Sequence, residues 1–157
     1  MTRVLTVLAY LAFFSTATMM DSGAAELAKP ELSLIVAKPV SEKFIRTIDS
    51  PPGTLMIGGW YGTKLSSVRV VSGSLKAGKK LYVELIAADS GVVTRYKEIF
   101  VVVERVEDGT LRGRWWGSPT NLACVPIDVV KGTSLAERFG DSSGSHNEVC
   151  APLDAER

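Results

Sequence analysis

The sequence predicts an all-β protein in which about eight antiparallel strands form a single up-and-down barrel. From residue 32 to residue 130, apolar and β-branched runs alternate with turn sequences, and no window has a sustained helical period. Ser90-Gly91 and Asp108-Gly109 each separate two such runs, and glycine there permits the positive φ of a tight hairpin turn. Strands are expected at 32–37, 43–48, 54–61, 65–72, 80–88, 92–105, 110–117 and 122–130.

The connections distinguish a barrel from the alternative, a two-sheet β-sandwich. Residues 72–79 supply a longer, glycine-bearing hairpin loop, so residues 65–117 are expected to form an antiparallel meander. Hairpin connections favour a barrel because closure removes exposed strand edges, whereas sandwiches more often need long crossovers. The run IFVVV at 99–103 is apolar at every position, which predicts a bulge or burial on both faces.

The N-terminus has the layout of a secretory signal peptide. Arg3 provides a short positive segment, residues 4–20 carry no charge, and small residues precede a cleavage point after Ala24 or Ala25. An uncleaved membrane anchor is the alternative, but the apolar stretch is short for a span. We therefore expect a signal peptide at 1–25 and one mature domain at 26–157. This domain is expected to be periplasmic or secreted, with no stable membrane span after cleavage.

The chain has two cysteines, Cys124 and Cys150, and in an exported protein such a pair predicts one disulfide. Cys124 alternates with Val125 along the last strand, so its sulfur is expected to point away from the core. The bridge would hold a C-terminal tail, starting at about residue 131, against the outside of the barrel. No metal site is expected, because the chain has one histidine, His146, and no Cys-x-x-Cys pair.

A short helix is expected within this tail. Ser134 has Glu137 three residues after it, which is the spacing of a capping box, and Gly140 follows as a stop. Residues 141–148 are polar and indicate a loop.

Two adjacent tryptophans, Trp115 and Trp116, must lie on opposite faces of a strand. Trp115 shares a face with Leu111, which indicates the core, while Trp116 shares a face with Arg112 and Arg114, which indicates solvent. Arginine stems or the C-terminal tail could cover an outward Trp116. The functional hypothesis is an aromatic platform with charged neighbours, suited to a sugar ring or a protein partner.

A second aromatic pair, Trp60 and Tyr61, repeats this pattern, and its surroundings leave open which ring faces inward. Tyr82 alternates with the apolar residues of its strand and is therefore expected on the outer face. The candidate ligand-binding residues are Trp116, Arg112, Arg114, Trp60, Tyr61 and Tyr82. Outward Arg69, Lys80, Arg95 and Lys97 would extend them into a basic band, for which a simple solvated sheet face is the alternative.

The formal net charge of +1 does not indicate a nucleic-acid partner. No catalytic residue and no cofactor is predicted, because the chain has no phosphate-binding loop and its single histidine does not complete a nucleophilic triad. We expect a non-catalytic binding or accessory protein of the bacterial envelope. Its partner would be a glycan, a lipid or a protein, held on the aromatic and basic face or inside the barrel. The alternative is a small carboxylate-dependent hydrolase using pairs such as Glu98 with Glu104 or Asp49 with Glu42.

Overall fold

The computed structural model describes residues 30–49, 51–54, 57–76, 78–139 and 147–154. The expected signal peptide, Gly140 and His146 lie outside these residues. The described elements are β1 (Leu32–Thr47), β2 (Gly59–Ser72), β3 (Lys80–Ala87), β4 (Ile99–Arg105), β5 (Leu111–Gly117), β6 (Leu122–Pro126), α1 (Ile127–Val130) and β7 (Glu148–Pro152), with a short 3-10 turn at Val93–Arg95.

The first five strands close into a barrel in the order β1-β2-β3-β5-β4. The pairings are antiparallel except between β3 and β5, which run parallel and meet at Glu84 and Arg112. Strand β1 pairs with β2 along nearly its whole length and with β4 through residues 32–37 on its other edge. The barrel is therefore closed and mixed, with one short parallel contact.

The all-β prediction is confirmed, but the barrel has five mixed strands rather than about eight antiparallel ones. Two pairs of expected strands are each one long strand, because 32–37 and 43–48 both belong to β1, and 65–72 continues the strand that begins at Gly59. Pro39 lies inside β1, next to a register shift, where the missing N–H of proline is tolerated. These two breaks in the sequence pattern, at 38–42 and 62–64, therefore lie inside long strands rather than at turns between short ones.

The prediction of a hairpin is also wrong for one of the two short turns, the one at Ser90-Gly91. The turn at Asp108-Gly109 joins β4 and β5 as expected, with Gly109 at φ 85°. After Gly91, by contrast, the chain enters the 3-10 turn, and Val93 is fully buried in the barrel interior. This longer connection carries the chain from β3 to β4, which does not lie beside it in the barrel.

The first six residues of β1 and most of β4 are covered on both faces, which confirms the prediction made from the IFVVV run in β4. Ile35 and Val101 belong to the cluster inside the barrel, whereas Leu34 and Val102 belong to a second cluster on the outside. The outer cluster is completed by C-terminal residues, among them Ala123, Val125, Leu135, Phe139, Val149 and Ala151. The C-terminal segment is thus a second layer of the core.

The disulfide is confirmed: Cys124 and Cys150 are bonded, and they stand directly opposite each other in the two-stranded sheet of β6 and β7. Both cysteines are half-buried, while the flanking Ala123 and Val125 are fully buried against the barrel. The sulfurs therefore point away from the core, as expected. Arg69 fixes the end of β7 from the barrel side, since its Nη1 donates to the Leu153 carbonyl at 2.7 Å.

The expected helix beginning at Ser134 is wrong. The chain turns irregularly from 131 to 139, and the helix lies earlier, in α1. Ser134 Oγ accepts a hydrogen bond from the Leu32 N–H at 3.0 Å, at the start of β1. The hydroxyl that has capping-box spacing in the sequence is used to bind a strand instead.

Candidate functional site

Aromatic and basic side chains lie together on the outer surface of β1, β2, β3 and β5. Residues directly opposite each other in neighbouring strands point to the same side of the sheet. The register sets Arg46 opposite Trp60, Lys64 opposite Tyr82, and Glu84 opposite Arg112. We call this surface the cationic face; it consists of Lys38, Lys43, Arg46, Trp60, Lys64, Lys80, Tyr82, Glu84 and Arg112.

The cationic face is strongly positive although the chain as a whole is nearly neutral, with a formal net charge of +1. Its basic residues come from four strands, and its acidic member, Glu84, is already paired, accepting a hydrogen bond from Arg112 Nε at 3.2 Å. The positive charge is therefore concentrated on one side of the barrel. Such a surface attracts polyanions, and the attraction weakens as salt screens it.

Trp60 holds two arginines in place. The guanidinium carbon of Arg46 lies 5.3 Å from the centroid of the indole, and that of Arg112 lies 5.4 Å from it. Both distances are within the range of cation–π attraction. The indole therefore orients two guanidinium groups toward one region of the surface, where each retains N–H donors suited to carboxylate or phosphate oxygens.

Tyr82 provides an exposed ring in a fixed position. It is 50% exposed. A Cβ atom at Gly62 would overlap the phenol of Tyr82, so the ring crosses the neighbouring strand at a position without a side chain. The absence of a side chain at Gly62 thus decides where this aromatic surface lies.

The remaining candidates lie elsewhere. Tyr61 is 6% exposed and points into the barrel, where it packs edge-on against Phe44, so the question left open for the Trp60–Tyr61 pair is answered. Arg114 forms two hydrogen bonds with Glu104, at 2.9 and 3.2 Å, and this pairing raises the pKa of the guanidinium further. Arg114 therefore borders the cationic face with its charge balanced. Arg46, which the sequence reasoning missed, is the second arginine that contacts Trp60.

The faces predicted for the two adjacent tryptophans are reversed. Trp115 is 39% exposed, whereas Trp116 packs against the cluster inside the barrel. The cause is a bulge in β5: Val102 pairs with Trp115 and Val103 with Gly113, which leaves Arg114 as an extra residue. One extra residue inverts the alternation for everything that follows it.

Trp116 closes the barrel beyond the short parallel contact between β3 and β5. Its Nε1 donates to the Ile86 carbonyl of β3 at 2.7 Å, and its ring packs edge-on against Tyr96. A side chain thus joins two strands where their backbone pairing has ended. The surroundings of Trp116 indicate a structural role rather than an exposed platform.

Matched substitutions distinguish these two roles. Trp116→Phe is expected to lower the free energy of unfolding by about 1 kcal/mol, because it removes the donor to the Ile86 carbonyl. Trp115→Phe keeps a large ring at an exposed site, and we expect a change within about 0.5 kcal/mol. Urea denaturation of both variants checks this. An equal loss in both would contradict the assignment of faces.

The barrel interior is filled by its own side chains. Ile35, Val83, Leu85 and Val101 are each 0% exposed. A Cβ atom at Gly113 would overlap Leu85, so the wall itself is shaped around the packed core. This packing favours the outer surface over the interior as a place for a ligand.

The carboxylate pairs named for a hydrolase find no support. Glu98 and Glu104 are separated by the length of β4, about 20 Å at the rise of a strand, and paired glycosidase carboxylates lie no more than about 10 Å apart. Burial raises the pKa of Glu42, and the Val93 N–H and Arg95 lower it only in part. Both oxygens of Glu42 are shielded from solvent, while Asp49 is exposed.

In the described part of the chain, no cluster of three or more histidine, cysteine or acidic side chains is placed to hold a metal ion. Over the same ranges, no helix has the length and apolarity needed to cross a bilayer. No family model, no curated protein and no solved structure matches this chain.

Proposed function

We propose that this chain is an exported, non-catalytic binding protein that engages an anionic glycan of the bacterial envelope through its cationic face. The observation that carries the proposal is the convergence of Arg46 and Arg112 on Trp60. Two guanidinium groups held on one indole have lost part of their conformational freedom before any ligand arrives. These side chains therefore lose less conformational entropy on binding, and the affinity is higher.

The shape of the face fits an extended ligand. Its charges span four neighbouring strands, and Tyr82 offers an exposed ring between Lys64 and the arginines along the sheet. Sugar rings stack on aromatic side chains, and their carboxylate or phosphate substituents pair with lysine and arginine. A chain of charged sugars satisfies both kinds of contact at once.

The fold and the predicted export support the same choice. The five-stranded barrel resembles the OB fold, whose members bind oligosaccharides and oligonucleotides on the face of their second and third strands; here that face carries Trp60, Lys64 and Tyr82. Between these two ligand classes, the N-terminal sequence favours the glycan, because an exported protein meets envelope polysaccharides rather than cellular nucleic acid.

Binding of polygalacturonate, with uncharged dextran as the control polymer, tests the proposal. The wild-type chain is expected to bind only the anionic polymer, and less tightly as salt is raised. The double variant Arg46→Ala, Arg112→Ala is expected to lose about tenfold or more in affinity, since two charged donors are removed.

Arg114→Ala is the matched control, because Arg114, like Arg112, pairs with a glutamate but does not contact the Trp60 ring. It is expected to bind polygalacturonate as the wild type does, within about twofold. Equal binding of polygalacturonate and dextran, or an Arg46, Arg112 double variant that binds like the wild type, would rule the proposal out.

A further inference from the structure

An apolar groove opens at the edge of the cationic face. Its volume is about 420 Å³, and Val40, Leu81, Tyr82, Ser66 and the almost fully buried Leu65 line it, with the exposed Lys64 and Lys80 at its rim. Tyr82 and the two lysines belong to both surfaces, so the groove continues the cationic face directly. Its size lies within the range of small-molecule sites, roughly 300–1,000 Å³.

A bulge in β1 creates the groove. Pro39 pairs with Leu65 and Ser41 pairs with Lys64, which leaves Val40 as an extra residue with no partner in β2. The bulge turns the Val40 side chain outward, and it is 59% exposed. An aliphatic side chain therefore lies exposed beside the half-exposed Tyr82.

The residues that line the groove favour a ligand that has both an anionic group and an apolar chain. Two ammonium groups at the rim attract a phosphate or carboxylate, and the side chains of Val40 and Leu81 beside them offer apolar surface to an alkyl chain. The Ser66 hydroxyl in the lining already donates to the Lys38 carbonyl. An alkyl chain attached to an anionic headgroup meets both demands, because its methylenes leave water while its charge stays at the rim.

We propose that this groove takes the acyl chain of an anionic glycolipid, so that the ligand of the cationic face is an acylated rather than a bare anionic glycan. This inference rests on the proposed function. It adds a second contact, in which the charged sugars lie along Arg46, Trp60 and Arg112 and the attached chain enters the groove beside Val40.

The test uses octyl phosphate below its micelle-forming concentration, with inorganic phosphate and octyl glucoside as matched probes for the charge alone and the chain alone. The wild-type chain is expected to bind octyl phosphate about tenfold more tightly than either single-feature probe, the factor given by burying about two methylenes. Val40→Ser is expected to bring octyl phosphate down to the affinity of inorganic phosphate. It should leave polygalacturonate binding unchanged.

Ile57→Ser is the control variant, because Ile57 is 77% exposed and does not line the groove. It is expected to bind octyl phosphate as the wild type does. Octyl phosphate that binds no tighter than inorganic phosphate, or that Val40→Ser does not weaken, would overturn the inference. A dimer that Val40→Ser converts to monomer in sedimentation, with no preference for the alkyl probe, would overturn it in favour of a second copy.

The two proposals fail separately. If octyl phosphate binds no more tightly than inorganic phosphate while polygalacturonate still binds, the groove assignment is wrong and the glycan assignment is unaffected. If the chain prefers octyl phosphate, loses this preference in Val40→Ser and does not bind polygalacturonate, the groove is supported as a site for an alkyl anion. The glycan assignment is then overturned.

Discussion

Replacing Leu135 with alanine is expected to lower the free energy of unfolding of the whole protein by about 2–5 kcal/mol, the usual cost of emptying a buried leucine site. Leu135 lies outside the barrel, yet it is 1% exposed and belongs to the cluster that covers β1 and β4. Removing its side chain leaves a cavity between the C-terminal layer and barrel strands. The loss should therefore appear in barrel probes such as Trp116 fluorescence.

The matched control is Leu122→Ala, in the same C-terminal segment but 44% exposed. It is expected to change the stability by less than about 1 kcal/mol. Urea denaturation followed by fluorescence and by far-ultraviolet circular dichroism provides the measurement. Two separate transitions for Leu135→Ala, with the barrel unfolding at the wild-type midpoint, would show that the C-terminal segment is a detachable tail.

Reduction of the disulfide is expected to destabilise the protein by about 3–4 kcal/mol, the loop-closure value for cysteines that stand 26 positions apart. The sequence predicts a tail that the bridge holds against the barrel, and a tail held by the bridge alone would loosen on reduction while the barrel persists. The structure corrects this expectation, because Val149, Ala151 and Leu153 of the tail are buried against the barrel. Reduction should lower the stability of the whole fold in one transition.

A Cys124→Ser, Cys150→Ser double variant controls for side effects of the reductant. It is expected to match the reduced wild type and to be insensitive to reductant. Two free thiols in denatured, unreduced wild-type protein would contradict the bridge itself.

The parts of the fold that the sequence predicts are those with a local signal. Alternating apolar runs identify strands, the IFVVV run indicates a strand covered on both faces, and two cysteines in an exported chain indicate a disulfide. Each of these signals lies within a few residues of the feature it predicts. The order of the barrel strands has no such signal, because the parallel meeting of Glu84 and Arg112 joins positions 28 residues apart.

Bulges account for the errors at the candidate site. Alternation places a side chain correctly only until one residue is added, and β1 and β5 both contain register shifts. The bulge at Arg114 exchanges the faces of the two tryptophans that follow it. The shifts in β1 conceal that Arg46 shares a face with Trp60. The sequence therefore indicates an aromatic and basic surface, but not which of its members belong to it.

The three tryptophans allow one direct test of the central claim, that the ligand meets the cationic face. Each indole N–H gives its own proton–nitrogen resonance, and the Trp→Phe variants assign them. On titration with a galacturonate oligomer, the Trp60 indole resonance is expected to shift, because its arginine neighbours engage the ligand. Trp115 is not part of the cationic face, and the Nε1 of Trp116 already donates a hydrogen bond to the Ile86 carbonyl, so the resonances of both indoles should not shift. A titration that moves Trp115 or Trp116 and leaves Trp60 unchanged would contradict the account.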